Sequence, residues 1–367
     1  MKNKKIVALL TTIIMTTTML VGCGGKNEEN NGVTTPENNG AKKVSIGLVT
    51  DEGGINDKSF NQTANEGVNR ARKDLDITYT YVESQKKEDY EPNMQSVVDN
   101  GADLTFGIGY QLADAIKAVA KNNPDVNFCL IDTAVEGDNV KSITFKEEEG
   151  SFLMGVIAGL VTKTNKVGFI GGKDTETILK FESGFAAGVK QVNPEAAAGL
   201  ISSDGKTAGS TVKYADSFAD TNKGYELAKS LYESECDVIY HAAGGVGIGM
   251  FQAAKEVKDG GKEVWAIGVD MDQSKSLPDY ADVILSSMMK RVDNATYDVV
   301  KEMVEGKFKA GSVVLGIADG GVGMSDTTSE NTPQDVIEKA HQYESQIKEG
   351  KIVVPYDRQG VLDFVVK

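Results

Sequence analysis

KVSIGLVTDEGGINDKSFN, residues 43–61, sets a β-branched run, a carboxylate, a glycine pair and a helix start in one line. Lys43 to Val49 predicts a strand and Ser59 to Lys73 a helix. KVGFIGG, residues 166–172, restarts the same pattern, with a helix predicted over 177–191. Between the two, ITYTYV, LTFGI, NFCLI and VKSITF read as strands, with helices near 90–99 and 111–121. EEEGSFLMGVIAGLV (147–161) reads as an apolar helix whose acidic first turn suits the macrodipole. After the restart, AGLIS (198–202), DVIYHAAGG and EVWAIGVD read as strands, separated by helices over 224–233 and 249–257. Repeated βα units of this kind give parallel sheets with helices on both faces. Two such runs joined by a helix predict an α/β protein with two doubly wound lobes. In these sheets ligands bind at the carboxyl ends of the strands.

The strand ends therefore carry the functional information. Asp51 closes the first strand, and Phe60 and Asn61 open the helix that follows it. Turn and cap chemistry accounts for Gly53, Gly54, Asp57 and Ser59, but not for Asp51 or Phe60. Asp132 and Asp270 are further carboxylates at strand ends, each also readable as a cap or turn residue. Phe218 sits in a polar loop, where local packing is an alternative role. Lys290 lies between a strand and a helix, where an ordinary surface lysine is the alternative. AGGVGIG (243–249) follows a strand and opens a helix, with Asp270 at the next strand end. The dinucleotide spacing fails, because the third glycine would fall on Met250 or Gln252. A glycine turn around Gly244 that lets a ligand hydroxyl approach bare backbone remains open.

Composition narrows the options. The chain has 367 residues, 54 Asp+Glu against 39 Lys+Arg, and a formal charge of −15. No Lys/Arg excess exists to neutralise phosphates, so a nucleic-acid partner is not expected. Its histidines, His241 and His341, leave little material for a zinc site or a histidine-based triad. No cofactor is implied. Cys129 and Cys236 sit in or beside apolar runs without a CxxC spacing, so two free buried thiols are expected.

Residues 1–22 read as a signal peptide, with Lys2, Lys4 and Lys5 ahead of an apolar stretch from Ile6 to Val21. That stretch is short of the roughly 20 residues a membrane-spanning helix needs. LVGC (20–23) looks like a bacterial lipobox, with Cys23 as the lipidated thiol. Residues 23–42, rich in Asn, Gly and Glu, then form a polar tether spanning roughly 25 Å. Removal of the three signal lysines takes the charge from −15 to −18. A diacyl anchor holds stably where a single chain does not. The expected location is the outer face of a bacterial cell membrane.

The motifs GLVTDEGGINDKSFNQTANEG, FKEEEGSFLMGVIAG, KVGFIGG, FESGFAAGV, SFADTNKG, DVIYHAAGGVG, GVDMDQ, SSMMKRVD and EGKIVVP appear in order. Together they resemble the basic membrane protein family, the PnrA-like purine nucleoside-binding lipoproteins of ABC transporters. The resemblance implies a type I periplasmic-binding-protein fold, two lobes joined by three crossovers with the ligand in the cleft. Lobe one would comprise residues 43–146 completed by about 270–318, and lobe two residues 147–269 completed by about 319–367. It also implies roles. Phe60 and Phe218 would sandwich the purine and Asp132 would face the polar edge of the base. Asp270 and Lys290 would hold ribose hydroxyls, helped by backbone at Gly244, while Asp51 and Asn61 line the cleft. The implied partners are a purine nucleoside (adenosine, guanosine or inosine) and ABC permease and ATPase subunits, with the protein a monomer and not an enzyme. A sugar-binding or ligand-sensing lipoprotein of the same fold is the alternative.

Overall fold

A computed structural model describes residues 43–366. The signal peptide, the tether and Cys23 lie outside the described residues.

The first βα run is β1 (Ser45–Thr50), α1 (Phe60–Asp74), β2 (Thr78–Glu83), α2 (Tyr90–Asp99), β3 (Leu104–Ile108), α3 (Ala113–Asn122), β4 (Asn127–Ile131) and β5 (Val140–Phe145). The chain then crosses into α4 (Glu147–Val161), β6 (Val167–Gly171), α5 (Glu176–Val192), α6 (Pro194–Ala197), β7 (Val212–Tyr214) and α7 (Thr221–Glu233). The second run continues through β8 (Val238–Ala242), α8 (Val246–Asp259), β9 (Trp265–Asp270), α9 (Gln273–Ser276) and β10 (Ile284–Lys290). It crosses back into α10 (Val292–Val304) and β11 (Gly311–Leu315). A last crossing leads to β12 (Val322–Met324), α11 (Thr328–Asn331), α12 (Gln334–Lys348) and α13 (Arg358–Asp363).

Each lobe is built on a six-stranded sheet, ordered β11-β5-β4-β3-β1-β2 in one and β12-β10-β9-β8-β6-β7 in the other. All pairings are parallel except β12 against β10. The central strands are buried along almost their whole length, as sheets covered on both faces require. In both sheets the order reverses beside the first strand of its lobe, β1 and β6. Their carboxyl ends therefore open a crevice, and the two crevices form the cleft.

Two sequence expectations need correction. Ala198–Ser202 is not a strand. Only an isolated bridge joins Ile201 to Ala208, and the edge strand is the shorter β7, paired with β6 at Phe169–Gly171. The return to lobe one also begins later than residue 270. β10, apolar and almost entirely buried, pairs with β9 inside the second sheet, so residues 284–290 belong to lobe two. The crossing falls between Lys290 and Val292, and α10 packs on α1 so closely that a Cβ on Gly67 would lie 2.1 Å from the Asp293 carbonyl. Cys129 and Cys236 are buried free thiols. Among the described residues, no helix is long and apolar enough to cross a membrane.

Candidate functional site

A cavity lies between the strand ends of the two lobes. Asp51, Phe60, Asn61 and Asp132 line it from lobe one, and Phe218, Gly244, Asp270 and Lys290 from lobe two. All eight residues singled out in the sequence thus meet in one place.

Strand geometry aims the carboxylates. Asp132 follows β4 and Asp270 ends β9, and both hold left-handed backbone, φ 83° and 67°. Asp accepts that region more readily than most residues, and it turns these side chains off their strands into the cleft. Both are buried, which pushes their carboxyls up; Lys290 opposes this at each. The Lys290 ammonium, 1% exposed, lies 2.6 Å from Asp132 Oδ1 and 3.0 Å from Glu147 Oε1. Burial alone would lower its pKa, but Asp132, Glu147 and Asp270 outweigh burial and hold it above its ordinary value. The rings of Phe60, Phe145 and Phe181 stand 5.0, 5.1 and 5.3 Å from the same nitrogen, close enough for cation–π attraction.

Asp51 serves a different end. It accepts from Gly53 N and Asn61 Nδ2 at 3.0 and 2.8 Å, and from Gln111 Nε2 at 3.3 Å. Its acceptors are largely committed to holding the loop. The bond to Asn61 turns that amide so that Oδ1, buried and unpaired within the protein, remains an acceptor. Asp57 caps α1, accepting from the backbone N–H of Ser59, Asn61 and Gln62. Its pKa is pushed up to about 7 by burial.

Phe60 and Phe218 supply aromatic surface from opposite lobes. Phe218 rests on Gly172, where a Cβ would come within 2.1 Å of the ring, and Tyr110 meets it edge-on at 6.4 Å. Lys173 lies 5.7 Å from the Phe218 ring.

The lobes also touch directly. Ser59 Oγ donates to the Asp270 carboxylate, and Gln273 Nε2 donates to the Lys58 carbonyl at 2.8 Å. Lys173 Nζ reaches Glu52 at 2.6 Å and Gln111 at 3.2 Å across the cleft. His241, on buried β8, lies behind the cavity and hydrogen-bonds Gln273 Oε1 at 2.9 Å. Among the described residues, no cluster of His, Cys, Asp and Glu is arranged to hold a metal ion.

Sequence reasoning missed Glu147, Tyr110, Phe181 and the Lys173–Glu52 contact. Glu147 was legible only as one of three successive acids at a helix start, and nothing in that run marks which one turns inward. Tyr110 could have been found by the logic that found Phe60, since it stands two residues beyond a strand, after Gly109. Asp132 and Lys290 were assigned to separate parts of a ligand, yet they are in contact, so the corresponding ends of the site adjoin.

Over residues 43–358 the sequence matches the Bmp family, described as ABC transporter substrate-binding protein PnrA-like. The chain belongs to this family. A relative from Listeria monocytogenes called CD4+ T-cell-stimulating antigen is 42% identical over 331 residues, 86% of this chain and 89% of that one. The ABC transporter nucleoside-binding protein BmpA of Lactococcus lactis is 40% identical over 326 residues, 84% and 88% of the two chains. Among solved structures, an ABC transporter solute-binding protein from Aeropyrum pernix K1 superposes with a TM-score of 0.74 at 27% identity, covering 87% of this chain and 96% of that one. The arabinose-binding protein AraP of Geobacillus stearothermophilus, at 14% identity and a TM-score of 0.57, shares the fold alone. The protein is an ABC transporter substrate-binding protein of periplasmic-binding-protein architecture, a family that works outside the cytoplasm.

Proposed function

We propose that this protein binds purine nucleosides between its lobes and delivers them to a membrane permease, tethered through a lipid on Cys23. The carrying observation is the lining of the cavity: aromatic rings from opposite lobes beside an acceptor-rich, buried pole with a single ammonium at its centre. A purine is flat, and stacking contacts are worth roughly 1–3 kcal/mol each. Phe60 and Phe218 take its faces. A ribose diol suits carboxylate acceptors beside a lysine donor, because charged hydrogen bonds are the stronger kind. Asp270 and Lys290 take the hydroxyls, Gly244 offers backbone, and Asp132 meets the adjoining polar edge of the base. Asp51 and Asn61 shape the wall. The surplus of carboxylates at this pole repels phosphate, so nucleosides bind and nucleotides do not. The role is binding by a monomer without chemical conversion, with ligand stabilising the closed form by touching both lobes.

A thermal-shift panel on residues 24–367 tests the reading, using adenosine, guanosine, inosine, uridine, ribose, glucose and adenosine monophosphate. A ligand at about 100 times its Kd adds roughly 2.7 kcal/mol, several degrees in Tm. A shift with purine nucleosides alone is expected, together with compaction in X-ray scattering. A shift with sugars alone, or equal binding of the monophosphate, refutes the reading. Labelled palmitate should enter the wild-type chain and not Cys23→Ala.

A further inference from the structure

We propose that Glu147 is the positioning residue for Lys290: a carboxylate behind the cavity wall that holds the ammonium on lobe two, poised for the hydroxyl groups of the ligand. The proposal rests on the nucleoside reading above and adds to it a residue that does not line the cavity.

Lys290 has three N–H donors and no acceptor. Its nitrogen has two carboxylates within reach, Asp132 Oδ1 at 2.6 Å and Glu147 Oε1 at 3.0 Å. Three aromatic rings about 5 Å away restrict the remaining directions. One donor is left for a ligand oxygen. The two carboxylates differ in where they are mounted. Asp132 follows β4 of lobe one, whereas Glu147 opens α4, which packs against α5 and β10 of lobe two. When the lobes part, Asp132 leaves with its own sheet. Glu147 stays beside Lys290.

Glu147 is itself fixed from behind. Its second oxygen, Oε2, accepts from Lys180 Nζ at 3.3 Å, and that lysine also reaches the Phe145 carbonyl at 3.3 Å. The first turn of α4 is seated on α5 at Gly184, where a Cβ would come within 2.2 Å of the Glu148 carbonyl. The carboxylate side chain is 1% exposed, and a buried charge of this kind is tolerable only when paired. Lys180 and Lys290 therefore hold Glu147, and Glu147 in turn holds Lys290 in both lobe positions. Without that anchor, the ammonium is free to turn wholly toward Asp132 and Asp270, and the donor meant for the ligand is lost.

The test is calorimetric titration of wild type, E147Q, K290M and E147Q/K290M with adenosine and 2′,3′-dideoxyadenosine, which lacks both ribose hydroxyls. Adenosine should bind E147Q about tenfold more weakly, the scale of one charge-assisted hydrogen bond. Dideoxyadenosine should change by less than about twofold, because it offers Lys290 nothing to hold. E147D should restore part of the adenosine affinity. In the K290M background, E147Q should add no further loss. E147D, which keeps the buried charge paired and shortens only its reach, serves if E147Q alone fails to fold. Equal weakening of both ligands would mean Glu147 merely supports the fold, and would overturn the proposal. So would an E147Q variant that matches wild type. Wild type binding neither nucleoside would overturn the nucleoside reading itself, a different result from wild type binding while E147Q is unaffected.

Discussion

Lys173 and Glu52 join the lobes at the edge of the cleft, 2.6 Å apart, with side chains 27% and 28% exposed. Because one follows β6 and the other follows β1, their contact exists only when the lobes are closed. Exposed ion pairs are worth about 0.2–1 kcal/mol, and charge-assisted bonds that are better shielded about 1.5–3. With a quarter of each side chain still in water, about 1 kcal/mol is the appropriate figure. Removing the pair by K173Q should therefore raise the Kd of the bound nucleoside about fivefold. The change should appear in dissociation, since an open cleft admits ligand whether or not the latch exists. Stopped-flow displacement should show faster release with the association rate unchanged. E52Q should do the same, and E52Q/K173Q should be no worse than either single variant, leaving a coupling near 1 kcal/mol in the double-mutant cycle. In 1 M salt, where the Debye length is about 3 Å, wild type and variants should converge. Additive single effects, or a change confined to association, would refute the latch.

Three further outcomes follow from the same geometry. K290M leaves Asp132, Glu147 and Asp270 buried without their shared cation and should cost about 3–5 kcal/mol in urea unfolding, with D132N recovering part of it; a loss below about 1 kcal/mol would contradict the burial argument. Gly172→Ala places a methyl within 2.1 Å of the Phe218 ring, so it should weaken nucleoside binding with little change in Tm, and unchanged affinity would show that Phe218 need not sit where it does. Stability should fall as pH rises from about 4.5 to 7: burial pushes Asp57 and Glu148 up to about 7 and Asp132 up to about 6, so the folded state keeps protons that the unfolded chain releases near pH 4. His241 works in the opposite direction, because burial lowers it to about 4 and the unfolded chain binds its proton first, but it offsets only one of these groups. D57N, which keeps the acceptor for Ser59 and Gln62 N–H but loses the one for Asn61 N–H, should lower Tm and flatten its slope against pH.

The sheets were legible because their strands are covered on both faces, and β-branched apolar runs such as LTFGI have few other uses. β7 was not. It is a three-residue edge strand, VKY, with one buried position, and edge strands lack the continuous apolarity that marks a central one. AGLIS had that apolarity and lies in turns instead. The lobe boundary was misplaced for a related reason: ILSSMMK reads equally well as the last strand of one sheet or the first of another, and only its pairing with β9 decides. At the site, residues that end strands were readable because the fold class says where such ends converge. Glu147 and Lys173 were not, since their roles depend on which partner faces them across a helix start or across the cleft.

The closed lobes divide their contacts into two kinds. Lys58 with Gln273 and Glu52 with Lys173 join the lobes without a ligand-facing role, whereas Asp132, Asp270 and Lys290 both close the cleft and line the cavity. A ligand shifts the open–closed equilibrium only by its differential affinity for the two forms. A bound nucleoside must therefore compete with, or share, the Lys290–Asp132 and Ser59–Asp270 contacts across the cleft. Substitutions of the first kind change the cost of closure alone, and so should scale the Kd of every ligand by one common factor. Substitutions of the second kind change closure and recognition together and should reorder the ligands. Comparing Glu52→Gln with Asp270→Asn across adenosine, inosine and 2′,3′-dideoxyadenosine separates the two: the first should preserve the ratios, the second should compress the gap between adenosine and its dideoxy analogue. If Glu52→Gln reorders the ligands as strongly as Asp270→Asn, closure and recognition are not separable in this cleft, and the lobes do not move as rigid bodies.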